Sequence, residues 1–256
     1  MHPTLFKIGT FEIPTYGVIL MVAFIVGLAL ARKRAAKFGF TPDQIDNVSF
    51  GLIICGILGA RILFMIQEWP YFQAHPSEIY TLQMRGLTSF GGIIGGAIWL
   101  IYWCVRRRQS ILGLMDLMAA PMLIGHVIGR VGCLMNGCCY GGPTTLPWGV
   151  EFNHEAFARH PAQLYDSLVN LGMLGLLFLF EKAPRKVGQS AGMFFMLHGA
   201  SRIFYEFFRI GSSSTTIGGL PITDAQVAAG IFVLIGAVIF VRAARKPLPT
   251  SEAIPV

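Results

Sequence analysis

Seven stretches of this 256-residue chain are long and apolar enough to cross a lipid bilayer, and nothing else constrains the fold as strongly. A crossing helix needs about 17–25 mostly apolar residues. The stretches fall near residues 15–31, 48–66, 88–105, 112–129, 161–180, 190–210 and 222–241. Backbone inside hydrocarbon has to satisfy its own polar groups, so each stretch predicts a helix. Only 13% of the residues are charged, against about 25% in a soluble globule. Disordered and fibrous readings fail for the same reason, because apolar runs dominate. The first run lacks a small-residue cleavage site and reads as a retained span.

The basic residues orient the spans. Arg32, Lys33, Arg34 and Lys37 follow span one; Arg106, Arg107 and Arg108 follow span three. Lys182, Arg185 and Lys186 follow span five; Arg242, Arg245 and Lys246 follow span seven. Thirteen of the twenty Lys and Arg therefore fall on one side, which the positive-inside rule makes cytoplasmic. The expectation is an all-α membrane protein of seven transmembrane helices, N-terminus outside and C-terminus cytoplasmic. Residues 1–246 form one transmembrane domain with a small outer cap at about 131–160, and 247–256 form a disordered cytoplasmic tail. Topology explains the net charge of +7, so no nucleic-acid partner is required.

Seven basic residues escape this pattern: Lys7, Arg61, Arg85, Arg130, Arg159, Arg202 and Arg209. Five of them, Arg61, Arg130, Arg159, Arg202 and Arg209, fall in or near outer halves of spans. Arginine in a bilayer costs at least ~2.5–3.5 kcal/mol, so it persists where it has a partner or a task. Several guanidinium groups near one another suit a phosphate-like anion.

Span six carries His198, Arg202, Glu206 and Arg209 at spacings of four, four and three, one face of a helix. The face is either an internal ion pair of Arg202 with Glu206 or a ligand-facing stripe, and the two overlap. Span four ends in Gly125-His126-Val127-Ile128-Gly129-Arg130 and runs into a glycine- and cysteine-rich segment through Asn136, Cys138 and Cys139. Asp116 on the same span reads as a helix-packing acid. Pro161 fits the first turn of span five, which places Gln163, Tyr165 and Asp166 at its outer end, within reach of Arg130. Tyr16 opens span one as an interfacial anchor or a pocket hydroxyl.

Together these segments resemble the prolipoprotein diacylglyceryl transferase family of the bacterial inner membrane. The resemblance rests on Tyr16-Gly17, Gly59-Ala60-Arg61, Gly91-Gly92 with Gly95-Gly96, Gly129-Arg130-Val131-Gly132 with Asn136-Gly137, His160-Pro161-Ala162-Gln163-Leu164-Tyr165, and Arg202, Glu206 and Arg209. It implies a multi-pass inner-membrane enzyme with its site facing the periplasm. Such an enzyme moves the diacylglyceryl group of phosphatidylglycerol to the thiol of a lipobox cysteine in a prolipoprotein, leaving glycerol phosphate. Arg130 and Arg202 then match phosphate clamps, Glu206 an essential acid, and Tyr16, Arg61, Asn136, Gln163, Tyr165 and Arg209 substrate-binding positions. No cofactor or metal is implied. The chain departs from the family pattern at Phe90, where many members have histidine, at Cys133 and Cys138, where Asn and Glu are common, and at His198, where tyrosine is usual. Rearranged proton handling follows, with His198 or Glu206 as the base ahead of His126 and His160.

Cys55 and Cys104 lie within spans and read as core residues. Cys133, Cys138 and Cys139 face the outer side, where one pair can form a disulfide, Cys133 with Cys138 or Cys139 being the natural choice; a nucleophilic or other special role is the alternative. A metal site is unsupported by any C-x₂-C spacing. Two other classes compete with the enzyme: an anion transporter, disfavoured because no repeats are found and polar residues crowd the outer half, and a non-catalytic lipid- or lipoprotein-binding relative.

Overall fold

The computed structural model describes residues 4–8, 11–80, 88–152, 156–209, 214–217 and 220–245. Arg85, His154, Glu155, Lys246 and the tail 247–256 lie outside the described residues. Seven long helices carry the fold: α1 (Thr15–Arg34), α2 (Pro42–Gln67), α4 (Ser89–Arg107), α5 (Ile111–Met135), α6 (Ala162–Phe180), α7 (Gln189–Glu206) and α8 (Asp224–Ala244). A short α3 (Trp69–Ala74) follows α2. Each long helix overlaps one apolar stretch of the sequence. Among the described residues, five helical segments are both long and apolar enough to cross a membrane: Thr15–Phe38, Pro42–Gln67, Ile111–Met135, Ala162–Phe180 and Asp224–Ala244.

Local signals set the helix ends. Thr41 and Gln44 form a capping box at the start of α2, with Pro42 in the first turn. Thr223 and Gln226 do the same for α8. Helix α5 runs to Met135, beyond the expected end near 129, so irregular backbone begins only at Asn136. Three two-stranded hairpins accompany the helices: β1 (Thr4–Ile8) with β2 (Phe11–Pro14), β3 (Val150–Glu151) with β4 (Ala158–Arg159), and β5 (Ser214–Ile217) with β6 (Leu220–Thr223). The first and last were not legible as strands, because hydropathy alone reports no pairing across a short turn. They lead directly into α1 and α8.

Large apolar side chains point outward along the bundle, among them Phe24, Phe50, Ile98, Met122, Leu168 and Leu234. A water-soluble protein would not expose such a surface. Inside, small residues let backbones touch. A Cβ at Gly59 would collide with the Gly91 carbonyl, and one at Gly192 would lie 2.8 Å from the Gly236 carbonyl. Close approach of this kind stands in for hydrophobic drive where the solvent is itself apolar.

The basic ends of the helices meet. Arg34 makes two hydrogen bonds to Glu181, at 2.9 and 2.8 Å, and both side chains are buried. Asp116 accepts the Gly188 and Ala191 amides at 2.6 and 2.7 Å, which caps the start of α7 from a neighbouring helix. The expected packing role for Asp116 has this concrete form. Lys186 donates to the Ala244 carbonyl at 2.6 Å. The polar stripe of α7 and the end of α5 therefore lie at the opposite pole, with Arg130 about 21 Å from Asp116 along α5 at 1.5 Å per residue.

Candidate active site

Three helices place the polar residues. His126 and Arg130 are one turn apart on α5, Asp166 and Asn170 one turn apart on α6, and Ser201 and Tyr205 one turn apart on α7. They converge on Asp166, which is only 3% exposed. Its Oδ2 accepts Arg130 Nε and lies 2.8 Å from His126 Nε2. Its Oδ1 accepts Ser201 Oγ and Asn170 Nδ2, each at 2.9 Å. A buried carboxylate is tolerated because charge and hydrogen bonds surround it. The result fixes the Arg130 side chain by its Nε and leaves its terminal nitrogens for other partners.

Tyr205 is buried beside this hub. Its hydroxyl donates to the Cys139 carbonyl at 2.8 Å. Arg130 Cζ sits 4.4 Å from the centre of its ring and Arg202 Cζ 5.0 Å. Two guanidinium groups from separate helices thus gather at one aromatic ring, a cation–π arrangement that offsets part of their burial. Arg202 pairs with Glu206 at 2.9 Å, one turn further on, and Glu206 is buried. His198 stacks on Phe194 at 5.5 Å and meets His126 edge-on at 5.2 Å. Its Nδ1 makes no hydrogen bond.

The segment after α5 forms the rim. The Gly137 amide bonds to the Leu134 carbonyl and the Cys138 amide to the Cys133 carbonyl, both at 3.1 Å. With Gly137 at φ +67°, these bonds make a Schellman motif, which glycine adopts without a Cβ penalty. Cys139 also has positive φ, +63°. The two turns bring the Cys133, Cys138 and Cys139 sulfurs within 4.8 Å of one another, and all five cysteines of the chain are free. The three sulfurs lie together without a bond between them. A hydrogen bond from the Cys133 thiol, reinforced by Cys138 and the nearby Arg130 and Arg209 cations, holds the Cys139 thiol well below the usual thiol range. Gln163, fully buried, donates to the Cys138 carbonyl at 2.6 Å.

The structure brings Arg130, Arg202, Glu206, His198, Arg209, Gln163 and Tyr16 to this end of the bundle. Tyr16 packs against Gly132, where a Cβ would come within 3.1 Å of its ring. Arg209 pairs with Gly141 in a β-bridge. Asn136 caps α5 with its side chain exposed. Tyr165 lies at the rim, where its hydroxyl accepts Trp148 Nε1 at 2.8 Å and its ring meets Phe208. Arg159 reaches the rim over Tyr140 and Phe157. Arg61 stands with α3 instead: it donates to the Glu78 carbonyl at 3.0 Å and lies over Phe64 and Phe72. Sequence reading passed over the central position of Asp166 and the parts of Asn170, Ser201 and Tyr205. One signal existed: residues 198, 201, 202, 205, 206 and 209 form a single broad polar face of α7.

Comparison with known proteins adds a second line. The model of the family described as prolipoprotein diacylglyceryl transferase matches residues 3–242. A phosphatidylglycerol–prolipoprotein diacylglyceryl transferase of Clostridium tetani is 32% identical over 214 residues, 82% of this chain and 86% of the relative. One of Fervidobacterium nodosum is 32% identical over 91% of this chain and 82% of its own length. One of Methylobacillus flagellatus is 31% identical over 91% and 95%. With the match running nearly end to end, the chain belongs to the prolipoprotein diacylglyceryl transferase family.

Proposed function

We propose that this protein transfers the diacylglyceryl group of phosphatidylglycerol to the lipobox cysteine thiol of prolipoproteins, in a bacterial inner membrane. In this reading α4 and α7 cross the bilayer with the five more apolar segments. The chain then has seven spans, its N-terminus is outside, and its site opens to the periplasmic leaflet. The observation that carries the reading is the gathering of Arg130 and Arg202 on the Tyr205 ring, at the pole opposite the basic clusters.

The reaction breaks the bond between a glyceryl carbon and a phosphate oxygen, and forms one between that carbon and sulfur. Negative charge grows on the leaving phosphate. Prepositioned guanidinium groups stabilise that charge without reorganising. Arg130, anchored by Nε to Asp166, and Arg202, anchored to Glu206, act as the phosphate clamp. Arg209, Tyr16, Asn136 and Tyr165 line the approach, Gln163 supports its rim through the Cys138 carbonyl, and Arg61 would serve from the α2–α3 side. The nucleophile is the thiolate, so the thiol proton has to leave. His198, with Nδ1 unengaged, receives it. Phosphatidylglycerol is a bilayer lipid and the lipobox segment is itself hydrophobic, which suits entry of both from the side of the bundle.

Purified protein in phosphatidylglycerol-containing micelles with a lipobox peptide should release glycerol phosphate and produce a thioether-linked peptide. The same peptide with serine for cysteine should give neither. Tight lipid binding without turnover would overturn the reading in favour of a binding protein.

A further inference from the structure

The transferase reading leaves three thiols at the rim without a task. Their placement is deliberate in backbone terms. The Schellman turn sets Cys138 above Cys133, where this motif usually seats an apolar pair. The positive φ of Cys139 then turns a third sulfur to the same point, in a conformation that costs a non-glycine residue free energy. A disulfide needs two sulfurs; this loop delivers three. Around a zinc ion with Zn–S bonds near 2.3 Å, tetrahedral sulfurs sit roughly 3.8 Å apart. The three here already lie within 4.8 Å of one another. They are half-buried, so a ligand can still reach them from the rim. Among the described residues, no histidine or carboxylate atom joins the group.

We propose that Cys133, Cys138 and Cys139 hold a thiophilic divalent cation such as zinc, whose open fourth position takes the thiol of the incoming lipobox cysteine. The inference rests on the transferase reading for the identity of that thiol. Three protein ligands with one open position are the pattern of catalytic zinc, whereas structural sites close all four. Three thiolates around a divalent ion carry a net charge of −1, and Arg130 on α5 and Arg209, bridged to Gly141, are cations at the same end of the bundle. Arg130 precedes Cys133 by three residues on α5, so the metal-held sulfur and the phosphate clamp lie on one helix face.

The chemistry balances without a redox partner. The peptide thiol coordinates the ion, its S–H bond breaks, and the proton leaves to water at the half-buried rim. A metal-bound thiol is deprotonated outright at neutral pH. The sulfur lone pair then forms the carbon–sulfur bond, and the carbon–oxygen pair leaves with the phosphate. The thioether product is a poor ligand and is released.

The test uses the full-length protein, reduced, stripped with a chelator and titrated with zinc or cobalt(II). The expected result is one metal per chain, with cobalt showing intense sulfur-to-metal charge-transfer bands. Adding the cysteine peptide should shift the cobalt bands toward four-sulfur coordination, and the serine peptide should not. Cys133→Ser, Cys138→Ser and Cys139→Ser should each weaken zinc binding by more than the roughly 100-fold that losing an outer-shell partner costs. Retained phosphatidylglycerol binding would show that these variants still fold. Failure of the three reduced thiols to bind stoichiometric metal overturns the inference. So does a disulfide between two of them in the active protein, or a cobalt spectrum indifferent to the peptide. Unchanged glycerol phosphate release by the stripped protein would sink the metal site and leave the transferase reading intact. A peptide-responsive metal site without any release would do the reverse.

Discussion

Asp166→Asn is the most informative single change, because it removes one charge and almost no volume. Asp166 compensates Arg130 at its Nε while also accepting from Ser201 and Asn170. Arg130 is 14% exposed and Asp166 3%, so solvent screens the pair little. Removing one partner of a buried pair costs about 3–5 kcal/mol, since the other charge is left uncompensated. Asparagine can still accept one of these hydrogen bonds, which puts the expected loss at the lower end, about 3 kcal/mol. It should divide between unfolding in mixed micelles and a lower kcat/KM as Arg130 swings from its anchored geometry. Arg130→Gln should cost a similar amount by itself. The double variant should lose far less than the two single losses together, because the orphaned charge is gone. Independent sites add within roughly 0.3–0.5 kcal/mol. If the two losses simply add in both assays, Asp166 is not what positions Arg130 and the account of the hub is wrong.

Three further changes probe other levels. Asp116→Asn weakens the cap on α7 at the basic pole, so stability in detergent should fall by about 1–3 kcal/mol with the kcat/KM of the folded fraction unchanged. A changed kcat/KM would couple the two poles in a way the structure does not explain. Gly192→Val would push a side chain into the Gly236 carbonyl and the Phe240 backbone, so α7 and α8 must separate. Folded yield should collapse, and near-normal yield and melting would contradict the backbone contact. His198→Phe should abolish the acid limb of the kcat/KM profile, the limb set by the need for a neutral base, while KM for phosphatidylglycerol stays near its original value. An unaltered profile would remove His198 from proton transfer.

What the sequence disclosed depended on how local each signal was. The bilayer imposes a length and an apolarity on every span, so seven helices were legible from residues 15 to 241 without knowledge of their neighbours. The stripe of His198, Arg202 and Glu206 was legible for the same reason, since one helix sets its spacing. Asp166 was seen to lie near Arg130, but not at the centre of a network, because its four partners come from α5, α6 and α7. Arg61 shared its apparent depth with Arg130, yet its azimuth on α2 turns it to Phe72 and Glu78. Hydropathy carries depth and no azimuth. The thiol cluster depends on the φ angles of Gly137 and Cys139, which residue order alone does not report.

Tyr205 ties the thiol rim to the phosphate clamp, and the tie has a measurable consequence. Its hydroxyl holds the loop through the Cys139 carbonyl, and its ring carries both guanidinium groups. Whatever orders that loop should therefore also order the clamp. Binding coupled in this way is reciprocal: a metal ion at the three sulfurs tightens glycerol phosphate by the same factor by which glycerol phosphate tightens the metal. Coupling between sites typically spans about 5–150-fold. Tyr205→Phe keeps the ring and deletes the hydroxyl, which removes a hydrogen bond of about 1 kcal/mol net, near a fivefold share of that coupling. Calorimetric titration of glycerol phosphate with and without saturating zinc, in both proteins, measures the difference. A coupling that is the same size in the phenylalanine variant would mean that the loop and the clamp communicate by some route other than this side chain.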